Sequence, residues 1–237
     1  MTIRMRPGAL FGLLALVALT SASAAGLSLA SQKLAPYRTC TITATPSTTT
    51  VESDASVRQA SPNTNFGTAT TTNVATGNGA NRRLYLRFDL TTCVPAIPST
   101  ATVRLATLRL YATAVPGSCR TIDLFRVTTA WSESTLTWNN QPFGTSINNP
   151  ASSGAVDTFS IGTPAGCQNQ ATGVYVVGAD PTTDVAAFVA GSATNNGWML
   201  RDDVEGNAST LTSTFSSKDL GTASQAPQLV ITYVVVP

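Results

Sequence analysis

Arg83-Leu84-Tyr85-Leu86-Arg87-Phe88-Asp89-Leu90 alternates without a break. Leu84, Leu86, Phe88 and Leu90 fall on one face; Arg83, Tyr85, Arg87 and Asp89 fall on the other. Successive side chains of a strand point to opposite sides, so this stretch reads as a β-strand with one buried face. The next strand follows the same scheme. Ala106, Leu108, Leu110 and Ala112 point inward, and Thr107, Arg109, Tyr111 and Thr113 outward. The two are read as hairpin partners, so that Arg83, Arg87 and Arg109 form a cationic row.

Further strands are expected at residues 70–75, 121–127, 155–161, 174–177, 198–201, 211–216 and 228–235. Turn formers separate them: Ser61-Pro62-Asn63-Thr64-Asn65-Phe66-Gly67, Gly77-Asn78-Gly79, and Val115-Pro116-Gly117-Ser118, which closes a hairpin. Asp184 is read as the cap of one short helix over residues 185–189, ended by Gly191. About ten strands and one helical turn predict an all-β fold, an antiparallel β-sandwich of jelly-roll type with one short helix. No fixed-period repeat is present.

Residues 1–24 read as a secretory signal peptide. Arg4 and Arg6 precede an apolar run at residues 9–19, and Ala22-Ser23-Ala24 fits a cleavage site. The run is far shorter than the roughly 20 residues of a spanning helix, and no later segment is apolar enough to span. Residues 25–47 are read as an N-terminal arm and 48–237 as the sandwich domain. Within that boundary region, residues 41–51 suit either a linker or an edge strand that tolerates Pro46.

Cleavage would remove two arginines and no acids, taking 14 basic and 12 acidic residues to 12 of each. A neutral chain without a basic tract gives no sign of nucleic-acid binding. Only 11% of residues are charged, and threonine is the commonest type, which suits a pleated, half-exposed surface. Four cysteines in an exported chain point to two disulfides, with three possible pairings. Cys93 and Cys119 lie beyond opposite ends of the two alternating strands, which disfavours a bond between them; of the two pairings left, Cys40–Cys93 with Cys119–Cys167 is preferred. No CxxC pair suggests zinc.

The chain has no histidine, which removes the commonest general base and metal ligand. Carboxylate-pair catalysis survives only formally, with Asp54, Glu133, Asp202, Asp203 and Glu205 as the available groups. Asp202, Asp203 and Glu205 form the densest acidic cluster, whose oxygens could hold a structural calcium; acidic turns after strands are also common. Trp131 and Trp138 sit in a long connection. Their faces could stack on sugar rings, or they could anchor the connection to the sandwich. Trp198, alternating with Leu200, is read as core. Arg83, Tyr85, Arg87, Arg109 and Tyr111 could bind a uronic-acid polymer, since guanidinium groups grip carboxylates in bidentate fashion. The alternative is cross-strand pairing with Asp89, Asp123 and Glu133 under a loop.

At these residues the chain resembles the DNRLRE domain, also classed as carbohydrate-binding module family 96. The resemblance rests on Asn81-Arg82-Arg83-Leu84-Tyr85-Leu86-Arg87-Phe88-Asp89-Leu90, Ala106-Thr107-Leu108-Arg109-Leu110-Tyr111 and the Trp131 to Pro142 connection. Ser53-Asp54-Ala55-Ser56-Val57 and Pro62-Asn63-Thr64-Asn65-Phe66-Gly67 fit its opening; Thr183-Asp184-Val185, Asn196-Gly197-Trp198-Met199-Leu200-Arg201 and Ala226-Pro227-Gln228-Leu229 fit its end. It runs from about residue 50 to 235. Asn81 follows Ala80 where the family's name motif has Asp, and the cysteines are an elaboration of this member. The resemblance implies a secreted or cell-surface β-sandwich that binds polysaccharide without catalysing its cleavage, with alginate-type polymers among the expected ligands. Such modules are often attached to polysaccharide-degrading enzymes, whereas here the module fills nearly the whole chain.

The expected function is therefore a non-enzymatic carbohydrate-binding module recognising an extracellular polysaccharide, with acidic polymers among the candidates. The alternative is a structural or adhesive component of the envelope or extracellular matrix. Neither reading defines an oligomeric state.

Overall fold

The computed structural model of the protein describes residues 35–46, 52–176 and 178–235. The expected signal peptide lies outside these residues. Among them the strands are β1 (Tyr37–Thr43), β2 (Ser53–Arg58), β3 (Thr71–Thr76), β4 (Arg82–Arg87), β5 (Thr102–Arg109), β6 (Tyr111–Ala114), β7 (Arg120–Arg126), β8 (Asp157–Ile161), β9 (Val174–Tyr175), β10 (Trp198–Asp202), β11 (Leu211–Ser216) and β12 (Gln228–Val234). The helix α1 spans Thr182–Val189. Among the described residues no helix is long and apolar enough to cross a membrane.

Two antiparallel sheets form a sandwich. The smaller has the order β1–β12–β5; the larger runs β8–β7–β10–β4–β3–β11–β6–β9, with β2 also paired to β4. The inward residues of both sheets meet in one core. Leu84, Leu86, Trp198 and Leu200 of the larger sheet face Ala106, Leu108, Leu229 and Ile231 of the smaller. Val185 and Phe188 of α1 join them.

The alternation from Ala106 to Thr113 holds without a break, but its residues serve two sheets. β5 pairs with β12, Arg109 opposite Gln228, whereas β6 pairs with β11 and β9. Only Leu110 separates the two strands. The free edge of β5 is covered by the chain around Gly178, where Leu108 N–H donates to the Ala179 carbonyl. A Cβ at Gly178 would lie 1.6 Å from the Leu108 carbonyl oxygen, so only glycine passes there.

This topology corrects several expectations. β4 and β5 are not hairpin partners; they belong to different sheets, and Arg109 is not beside Arg83 and Arg87. Residues 115–118 connect β6 to β7 without closing a hairpin, because these strands have other partners. Asp89 ends the first strand by accepting the Thr91 N–H, so Leu90 enters a short 3-10 turn. The segment read as an arm contains β1, an edge strand on β12. Asp184 does not cap α1: the Thr182 N–H is taken by Asp180, while Asp184 is buried and accepts the indole N–H of Trp198 at 2.9 Å.

The outer face of the larger sheet is not open. Residues 128–156 cross it and build a second core, in which Trp131, Leu136 and Trp138 pack on Ala55, Val57, Tyr85, Phe125 and Met199. The disulfides join Cys40 to Cys93 and Cys119 to Cys167. The first ties edge strand β1 to the turn after β4, and the second ties the approach to β7 to the loop after β8.

Candidate functional site

Arg83 stands at the centre of the second core, wholly buried. Its Nε and Nη2 donate to the two carboxylate oxygens of Glu205, each at 2.8 Å. Its remaining donors reach Gln141 Oε1 at 3.2 Å and the carbonyls of Gly144 at 3.0 Å and Ser146 at 2.7 Å. The guanidinium lies 4.8 Å from the Trp138 ring centroid. Tyr85 is equally buried; its hydroxyl donates to Gln141 Oε1 at 3.0 Å, its ring meets Trp131 edge-on at 5.5 Å, and burial pushes its pKa up. Neither residue has a face left for a ligand. Arg87 is half-buried, donating to Ser53 Oγ at 3.2 Å and lying 5.4 Å from the Trp131 ring; burial lowers its pKa.

Trp131 and Trp138 anchor the connection. The Trp131 indole N–H donates to the Asn196 carbonyl at 2.8 Å, and 9% of Trp131 and 3% of Trp138 is exposed. The edge of Trp131, with Ser132, Thr135, Leu136 and Asn140, lines a shallow groove of about 420 Å³.

The acidic cluster is also engaged. Asp202 accepts two bonds from Arg120, and Glu205 accepts two from Arg83. Asp203 lies 3.2 Å from Arg120. Asp202 and Asp203 thus share Arg120 while Glu205 turns to Arg83, and the three carboxylates do not converge on one point. A different set does converge: Asp54, Glu133 and Asp219 offer oxygens within 4.8 Å of one another. There the positive charge is an ammonium. Lys218 Nζ lies 3.2 Å from Glu133 Oε2 and 3.2 Å from Asp219 Oδ2. Asp54 accepts the Ser217 hydroxyl and the Lys218 N–H, both at 3.0 Å. Burial raises the Asp54 pKa to about 7 and also raises that of Glu133. Burial pulls Lys218 down, but Glu133 and Asp219 outweigh it and keep its pKa above the ordinary lysine value.

Arg109 and Tyr111 are the expected site residues that share an accessible surface. The bend from β5 into β6 leaves both half-exposed on the outer side. β9 then brings Tyr175 opposite Tyr111, with ring centroids 5.4 Å apart and planes at 84°. The Arg109 guanidinium lies over the Tyr175 ring, 4.5 Å from its centroid, and Nη1 donates to Gln228 Oε1 at 3.1 Å. The Tyr175 hydroxyl donates to the Ala226 carbonyl at 2.9 Å, and partial burial raises its pKa. This is a small preorganised patch: one guanidinium with donors to spare, two aromatic rings and one amide. Such a set can grip a carboxylate and stack against the C–H face of a sugar.

Sequence reasoning missed Tyr175 and Gln228, because each enters the patch through strand pairing across more than sixty residues. Tyr175 lay in the expected strand at 174–177, but nothing local tied that strand to Tyr111.

No curated protein matches the chain. The family model of carbohydrate-binding module family 96 matches residues 45–160, which include Arg109 and Tyr111 but not Tyr175 or Gln228. The stretch from β2 to β7, with the long connection, is thus similar to carbohydrate-binding module family 96, the family that the sequence resembles.

Proposed function

We propose that this protein is a secreted, non-catalytic module that binds a carboxylate-bearing extracellular polysaccharide through Arg109, Tyr111 and Tyr175. The observation that carries the reading is the Arg109 guanidinium stacked on Tyr175 beside an edge-on Tyr111, on an accessible surface of a chain similar to a carbohydrate-binding family. Two disulfides and the signal-like first 24 residues support export. A binding role without catalysis is supported by the chain's lack of histidine and by the engagement of Asp54, Asp202 and Glu205 with protein donors.

Affinity electrophoresis against alginate, polygalacturonate and neutral glycans, at low and high salt, tests this. Retardation by a polyuronate that weakens with salt is expected, and Arg109→Ala or Tyr175→Ala should each reduce affinity at least tenfold. Equal retardation of both variants and the parent would remove this patch from the function. New reducing or unsaturated ends in the incubated polymer would make the protein an enzyme.

A further inference from the structure

We propose that the ligand is held as an extended chain along the outer face of the three-stranded sheet, with the Arg109 patch gripping only one part of it. This rests on the carbohydrate reading above and goes beyond it in assigning the path and length of the ligand. The register of the sheet carries the argument. Gln228, which holds Arg109, lies between Thr43 and Arg109. Two rows continue from there: Val230 between Thr41 and Thr107, then Thr232 between Thr39 and Leu105. Their neighbours Leu229, Ile231, Ala106 and Leu108 are buried, so the row residues point outward, each half-exposed or exposed.

At about 3.4 Å per residue, the four steps from Arg109 to Leu105 span about 14 Å, and adjacent strands lie about 4.8 Å apart. That platform is longer than a disaccharide. Its threonine hydroxyls both donate and accept, as sugar hydroxyls do, and Val230 and Leu105 offer apolar surface to ring C–H faces. None of the outward positions in these rows is acidic. Acids stand at both rims: Glu52 and Asp89 line a groove beside Thr41 and Thr43, and exposed Asp180 lies by the free edge of β5, bonded to Thr182, whose hydroxyl accepts the Ala106 N–H. They flank the face and repel a polyanion from its two edges toward the central strand β12, beside which Arg109 lies. A neighbouring register shift at Thr232/Tyr233 breaks the ladder and ends the flat region.

The test is calorimetric titration of the mature protein with oligomers of two, four and six residues cut from alginate and from polygalacturonate. Affinity should rise at least tenfold from dimer to hexamer. Val230→Glu, which sets a carboxylate in the middle of the face, should lower hexamer affinity at least tenfold. Thr107→Glu makes the same test on the neighbouring strand if the first variant does not fold. Equal affinity for dimer and hexamer, or a hexamer indifferent to both glutamates, would confine contact to the Arg109 patch and overturn this inference while leaving the carbohydrate reading intact. Absence of binding to oligomers and to both parent polymers would overturn the carbohydrate reading and this inference together.

Discussion

Arg83 illustrates how a residue that looks like a ligand contact becomes a keystone. All of its donors are used inside the protein, two on Glu205 and three on the 128–156 connection. Removing one member of a buried ion pair strands the other charge, which typically costs about 3–5 kcal/mol. Arg83→Met is therefore expected to lose about that much in urea unfolding, and Arg83→Met with Glu205→Gln to recover part of it. If the single variant unfolds at the parent's midpoint, the pair does not hold the connection. The alternation around Arg83 was legible from the sequence because it is a local, period-two property. What covers the outward face was not, because Gln141, Gly144 and Ser146 reach Arg83 across about sixty residues. The same arginine chemistry gives opposite outcomes at Arg83 and Arg109 because the long connection crosses one sheet and leaves the other open.

At the scale of elements, most strands lie close to where alternation and turn residues put them, β3, β7, β10 and β11 among them. Their pairing was less accessible. β5 and β6 read as one strand because the inward positions never change face, yet the chain passes from one sheet to the other at Leu110. A sequence pattern records which side of a strand is buried, not which strand lies beside it. Long-range pairing leaves the ends of elements dependent on cross-links. β1 is an edge strand with a single partner, β12, and the bond from Cys40 to Cys93 fastens it to the far side of the sandwich. The two disulfides close separations of 53 and 48 residues. Loop-closure entropy then predicts about 4 kcal/mol of stabilisation from each. Cys40→Ser with Cys93→Ser should lower the urea midpoint accordingly, and because β1 alone is released, proteolysis of the folded variant should begin near residues 37–43. A variant cut first within the 128–156 connection would mean that the edge strand is held by pairing alone.

For the whole molecule, the direction of the carboxylate shifts sets an expectation about pH. Burial raises the pKa of Asp54, Glu52, Asp123, Glu133 and Asp202, the last against the pull of Arg120. A carboxylate whose folded pKa is raised keeps its proton in the folded state while the unfolded chain has already released its own. Its contribution is fully present below the unfolded pKa and is lost as pH rises through the folded value. For Asp54 that window runs from the ordinary aspartate value of 3.8 to about 7. The other four act in the same direction, and with no histidine nothing in the chain offsets them there by charging between pH 5 and 8. Lys218, whose pKa is raised by Glu133 and Asp219 against burial, keeps its contribution throughout this range and loses it only as pH rises above the ordinary lysine value of 10.5. The melting temperature is therefore expected to peak near pH 4 and to fall steadily toward pH 7. Asp54→Asn, which cannot ionise, should flatten much of that slope. It should do so without moving the binding of polyuronate, since Asp54 is buried and its carboxylate accepts from Ser217 and the Lys218 backbone, not from a residue of the Arg109 patch. A melting temperature that rises from pH 4 to 7 would mean that Asp54 is ionised in the folded protein, with its two hydrogen bonds and the Lys218 ammonium outweighing the cost of burial.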